Sequence, residues 1–284
     1  MRLDSARATA QHRGANDDGH GDHDDNEEMA VSDYDATLAR CGALHEEALA
    51  RPWPFRGRQM DVRYALYRTL EDAQEVYVRV AAGEHAESRR ILALAQRAFG
   101  SLRALLVGLP APLLDRAPRA GEWSIREIVV HVVAVEQRYA LQTKYAVDRT
   151  DAEPIRIADS KLPSLTPTNT GGEIESLLAR LGQARAETDR WLGDVPPAGM
   201  LRPTLWAGYE IDVRFRLHRF AAHLVEHTVQ CEKTLFALGW QPTEGRQITR
   251  RLAAVVGEIE GLGAVKDARE IEARLGERLA SVAS

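Results

Sequence analysis

From Asp35 onward apolar residues recur at helical spacing, and the chain shows no strand alternation. Residues 35–50 form a short amphipathic candidate, halted by Arg51-Pro52-Trp53-Pro54. Val62, Leu66, Leu70, Ala73, Tyr77 and Val80 then draw a stripe down a long helix that Gly83 ends. Ile91, Leu92, Ala95, Phe99, Leu102, Leu105 and Leu106 repeat the pattern up to Gly108-Leu109-Pro110. No repeat of fixed period is visible in the sequence.

A turn-rich connection leads to the best-marked helix start, where Ser124-Ile125-Arg126-Glu127 reads as a capping box. That helix runs through Ile128, Val132, Val135 and Tyr139 to about Asp148. The next segment, 149–172, carries Pro154, Pro163, Pro167 and Gly171-Gly172 and is too long for a tight hairpin. In a bundle such a connection predicts a crossover between helices that run the same way. Ile174, Leu177, Leu178, Leu181 and Trp191 mark the following helix. A longer one spans about 210–238, with Phe215, Phe220, Leu224 and Leu235 on its apolar side. Two more are expected around Ile248–Ile259 and Ile271–Val282. The fold class is all-α: a bundle of four main helices with helical additions at both ends.

Charge changes this picture at the N-terminus only. Nine acidic residues and no lysine or arginine lie between Gly14 and Ala39, a segment too poor in apolar residues to repay its ordering entropy. It reads as a disordered tail whose first 32 residues the fold does not need. The remainder is close to neutral and carries no basic stripe, so no nucleic-acid partner is expected. No apolar run is long enough for a membrane span, and the N-terminus lacks a secretory apolar segment, which places the chain in the cytoplasm. Two cysteines, Cys41 and Cys231, cannot build a disulfide framework. The arginine- and alanine-rich composition resembles that of a GC-rich bacterial genome and carries no functional message.

Three histidines stand in unusual places. His131 interrupts a run of valines and shares a helix face with Ile128 and Val135, where a partnerless imidazole would cost ~1–3 kcal/mol. His223 and His227 are four apart, which stacks two imidazoles on one face of the longest helix. Each alone also reads as a hydrogen-bonded core residue or a chance pair. Together they describe three inward nitrogen donors from two helices, with coordination positions left open. Affinity for a metal there should fall as pH drops below the free-imidazole pKa of ~6.5.

The neighbouring polar residues have plainer readings. His218 lies about 140° round the helix from His223 and should miss the site. Cys231 fits a small core residue better than a fourth ligand, and Glu127 serves either as cap or as orienting acceptor for His131. His20 and His23 belong to the solvated tail. The run His223-Leu224-Val225-Glu226-His227 also spells H-x-x-E-H, a zinc-hydrolase pattern. That class needs a further acidic ligand well downstream and an α/β setting; only 57 residues follow His227 and no strands precede the motif, so Glu226 is expected on the solvent side or at a helix contact.

The segment Gly121-Glu122-Trp123-Ser124-Ile125-Arg126-Glu127-Ile128-Val129-Val130-His131 resembles the second-helix motif of DinB-like bundle proteins. Arg216-Leu217-His218-Arg219-Phe220-Ala221-Ala222-His223-Leu224-Val225-Glu226-His227 is similar to their fourth-helix motif. The resemblance covers about 86–240 and implies an up-down-down-up four-helix bundle holding a divalent metal, usually zinc or nickel, on His131, His223 and His227. It divides the chain into an acidic tail (1–34), an N-terminal helical extension (35–85), the bundle (86–240) and a C-terminal helical extension (241–284). Several DinB-like enzymes are transferases or isomerases that use a low-molecular-weight thiol such as mycothiol or bacillithiol. The resemblance thus implies a small electrophilic substrate beside a metal-held thiol, and it allows a homodimer. Catalytic side chains are not identified by it. The alternative is a non-enzymatic, metal-stabilised bundle whose extra helices serve an interaction.

Overall fold

The capping box forms as the sequence predicts: the Ser124 hydroxyl accepts from the Glu127 amide, and the Glu127 carboxylate accepts from the Ser124 amide at 2.8 Å. It opens α6 (Ile125–Asp148) in the computed structural model, which describes residues 34–165 and 170–283. The expected tail, with His20 and His23, lies outside the described residues apart from Tyr34. In chain order come α1 (34–42), α2 (Glu46–Leu49), a hairpin of β1 (Pro52–Phe55) and β2 (Arg58–Asp61), α3 (Val62–Ala81), α4 (Glu87–Leu106) and α5 (Ala111–Leu114). After α6 follow α7 (Ile174–Leu192), α8 (Pro197–Met200) and a second hairpin of β3 (Pro203–Trp206) and β4 (Tyr209–Asp212). The chain closes with α9 (Val213–Ala237), α10 (Glu244–Gly261) and α11 (Val265–Ala283).

Hydrogen bonds between helix ends fix the directions. Arg126, at the start of α6, donates to the carbonyls of Thr170 and Gly172 just before α7, at 3.0 and 2.6 Å. The two helices therefore run parallel, and 149–172 is a crossover. Ser88 at the start of α4 donates to the Gly193 carbonyl beyond the end of α7 (2.7 Å), so these two oppose. Arg214 at the start of α9 holds Glu87 at the start of α4 (2.6 Å), so these run together. The bundle α4–α6–α7–α9 is up-down-down-up, and leucines, isoleucines and valines from all four helices fill its core.

The structure corrects the sequence reading at two hairpins. Both have four-residue strands and a two-residue turn, Arg56-Gly57 and Ala207-Gly208, in which both residues take positive φ. That is the turn whose twist matches paired strands. The long helix expected from about 210 consequently starts at Val213, and Phe215 is 44% exposed instead of core.

The two hairpin–helix units are the same unit. Arg51, Pro52, Gly57, Asp61, Val62, Arg63, Leu66 and Arg68 recur at constant offset as Arg202, Pro203, Gly208, Asp212, Val213, Arg214, Leu217 and Arg219. Asp61 and Asp212 each cap the following helix by accepting from the amide three residues on. Arg63 grips Glu244 at the start of α10 (2.7 Å) as Arg214 grips Glu87 at the start of α4. The one-turn helices α2 and α8 precede the two hairpins at the same offset. The N-terminal and C-terminal helices thus form a second, shorter arrangement, in which α3 stands for α9 and α10 for α4.

Reciprocal packing relates the two. Helices α4 and α10 cross antiparallel, with Gly100 on the backbone of Ala253 and Gly257 on that of Gln96. A Cβ at Gly100 would meet the Ala253 oxygen at 2.1 Å, and one at Gly257 the Gln96 oxygen at 2.5 Å. Gly100→Ala and Gly257→Ala should each lower unfolding free energy by ~1–3 kcal/mol, the cost of overpacking a close backbone contact. Chemical denaturation reads this directly; full stability in both variants would show that the helices are not in such contact.

Candidate metal centre

His131 on α6 and the pair His223 and His227 on α9 converge. Tyr139 packs on Phe220 and His223, while His131, two turns earlier, meets both His223 and His227. The two helices therefore oppose, and this brings the triad to one level. Each imidazole offers a nitrogen within 4.8 Å of the others, and the Nε2 atoms of His223 and His227 are 3.0 Å apart. Among the described residues no other group of three or more His, Cys, Asp or Glu side chains is so arranged.

Burial prepares His131 and His223 as neutral donors. His223 and His227 are 7% and 6% exposed, and His131 is half-buried. Burial, then the neighbouring imidazoles and Arg219, push the His223 pKa down to about 3. Burial followed by His227 lowers that of His131. His227 donates from Nδ1 to the Gln230 side-chain oxygen (2.7 Å), which leaves its Nε2 lone pair facing His223. Trp123 lies against His131 and stacks parallel to His227, with centroids 4.9 and 6.5 Å away.

Two cavities flank the triad. One, of about 710 Å³, opens beside His227 and Trp123, with Arg119, Glu122, Gln230 and Lys233 on its walls. The other, of about 330 Å³, is bounded by His131, His223, Tyr139, Arg156, Arg216 and the Trp206 hairpin tip. The crossover and the second hairpin thus build the walls of the smaller one.

The neighbouring residues fall as the sequence suggests. His218 is exposed and lies near Glu87, away from the triad. Cys231 is fully buried in the apolar core, where burial pushes its thiol up to about 12. Glu127 is held in its cap. The side chain of Glu226, the acid of the H-x-x-E-H pattern, is 64% exposed and faces Arg219 at 3.9 Å. Sequence reasoning passed over Gln230, Trp123 and Arg216. Helical spacing carried a signal for two of them: Gln230 is three residues after His227, and Arg216 is two turns before His223.

Fold and site together define a class: a bundle with a crossover between its second and third helices and three imidazoles between its second and fourth. Residues 94–231, which carry α6 through most of α9 and the whole triad, match the DinB superfamily. The matched segment, just under half of the chain, is similar to that superfamily. No curated protein matches the chain. Among the described residues no helix is long and apolar enough to cross a membrane.

Proposed function

We propose that His131, His223 and His227 hold one divalent ion, zinc or nickel, and that the chain is a thiol-dependent transferase or isomerase of the cytoplasm acting on a small electrophile. The observation that carries this is the convergence of three nitrogen donors between two cavities. The donor chemistry fits: imidazoles suit zinc and nickel, and two of them are held deprotonated by burial. Three imidazoles that face one another with no carboxylate bonded to them can turn their lone pairs on one cation.

When bound, the ion would lower the pKa of a thiol or polarise a substrate carbonyl. The chain's own residues do the rest. Gln230 fixes the His227 tautomer, Trp123 shields two rings from solvent, and Tyr139 backs the third. One cavity at His227 and a second at His131 and His223 give a thiol and an electrophile separate places beside the triad.

The test has two stages. Metal analysis of purified protein should find one ion per chain. Cobalt- or nickel-substituted protein should then develop a thiolate charge-transfer band on addition of a low-molecular-weight thiol, and consume that thiol in the presence of an electrophile. Metal without thiol ligation would favour a bundle that uses the ion for stability alone.

A further inference from the structure

Arg216 is the side chain that the site described so far leaves unexplained. It is 2% exposed and lines the smaller cavity next to His223 and His131. Its guanidinium lies over the Tyr139 ring at 4.4 Å, and its Nε and Nη1 find no acceptor. Other deeply buried arginines of this chain are paired or bonded. Arg185 has Glu136 and Asp189, and Arg246 donates to three carbonyls at the end of α4. Arg216 has an aromatic face and no counter-charge.

The charged groups around it do not supply one. Arg156 and Arg219 both repel it, and burial pushes its pKa down to about 10. Arg138 and Arg156 on the same cavity share the exposed Asp159, which leaves a net positive wall. Holding an unpaired cation out of water is costly, and replacing it by an apolar residue ordinarily stabilises a core. The planar guanidinium fork is suited to a carboxylate. Residue and cavity make sense together when an anion enters.

We infer that the 330 Å³ cavity binds the carboxylate of a small organic acid through Arg216, with the rest of the molecule extending toward the imidazole triad. This rests on the functional reading above and narrows it: the electrophile carries a carboxylate, whereas the thiol enters from the Trp123 side. The ring face of Tyr139 and the Trp206 tip enclose the apolar part of the ligand. Arg156, at the rim, favours a second negative group.

The experiment uses the full-length chain, metal-loaded and chelator-treated, with succinate, its neutral diamide and inorganic phosphate as probes. Binding is read by calorimetry and by Trp206 fluorescence. Succinate should bind saturably in both metal states, the diamide should not, and Arg216→Gln should weaken succinate by about ten- to hundredfold. Arg119→Gln, on the other cavity, should leave succinate affinity unchanged. Should Arg216→Gln fail to fold, protection of Arg216 from phenylglyoxal by succinate in the wild-type chain gives the same reading. Equal binding in Arg216→Gln, no protection, loss of binding on chelation alone, or a preference for phosphate would each overturn the inference. A chain that binds succinate through Arg216 yet ligates no thiol would retain the carboxylate site and lose the thiol-dependent reading.

Discussion

Replacing His223 by alanine is expected to remove most of the bound divalent ion, and His131→Ala and His227→Ala should do the same. Each deletion leaves two imidazoles, and a two-nitrogen site loses much of the chelate advantage that places the donors within 4.8 Å of one another. His218→Ala, on the exposed side of the same helix, should leave metal content intact. Gln230→Ala should fall between, costing about 10–100-fold in affinity because the His227 ring loses its anchor. Metal analysis after dialysis against a weak chelator ranks the five. A ranking in which His218→Ala strips the ion and His223→Ala does not would end the site assignment.

The same burial sets the pH response. The His223 pKa is about 3 in the folded chain and ~6.5 when unfolded, so between these values the unfolded chain takes up the extra proton. Stability of the metal-free protein is therefore fully present above ~6.5 and declines as pH falls toward about 3. His131 contributes in the same direction. Metal should also persist to lower pH than free imidazole predicts, because protons compete poorly for a buried ring. Denaturant midpoints at several pH values check the first statement, and metal retention in acid checks the second.

Glu136→Ala should be the most damaging single change away from the triad. Arg185 is completely buried between α4, α6 and α7, held by Glu136 and Asp189 at 2.6 Å each and by Gln96 at 3.2 Å. Thr188 donates to the same Glu136 oxygen at 2.8 Å. Breaking such a pair from one side costs ~3–5 kcal/mol, since a charge is left behind in the core. Asp189 remains as a partner, which places the effect near the lower end. In a chain of this size that corresponds to a fall of about 6–12 °C in Tm. The triple change Glu136→Leu, Arg185→Met and Asp189→Asn should recover most of the loss, because it removes all three charges together. If the triple variant is no better than Glu136→Ala, the damage comes from packing and not from the orphaned cation.

The bundle was legible because its signals are local. Apolar spacing, the Ser124–Glu127 box and the length of 149–172 are each readable within one element, and the structure places all three as expected. The triad was legible for a related reason: two ligands sit one turn apart, and the third stands alone among valines. The hairpins were not. Their strands are four residues long, the first strand of each hairpin begins with proline, and one turn puts Ala207 at positive φ, where glycine or asparagine is the usual signal. Buried arginines were invisible too. Periodicity treats Arg185 and Arg216 as surface positions, and only tertiary packing reveals what one grips and the other lacks. The repeated hairpin–helix unit corrects the reading that the chain holds no repeat: its identical residues recur once only, at a spacing far beyond that of a tandem array, and the structure discloses them.

That repetition has an asymmetry with a consequence for how the protein behaves on dilution. At the position in α3 that corresponds to His223 stands Asp72, and Val76 stands for His227. Asp72 is 6% exposed and locked by Arg68, Arg274 and Arg278, so an ion cluster occupies the level at which the other half gathers its imidazoles. Among the described residues, imidazoles gather at this level in one unit only, and in its counterpart internal salt bridges stand there instead. Because Gly257 and Gly261 of α10 close on the backbone of α4 from within the same polypeptide, that contact needs no second chain and does not depend on protein concentration.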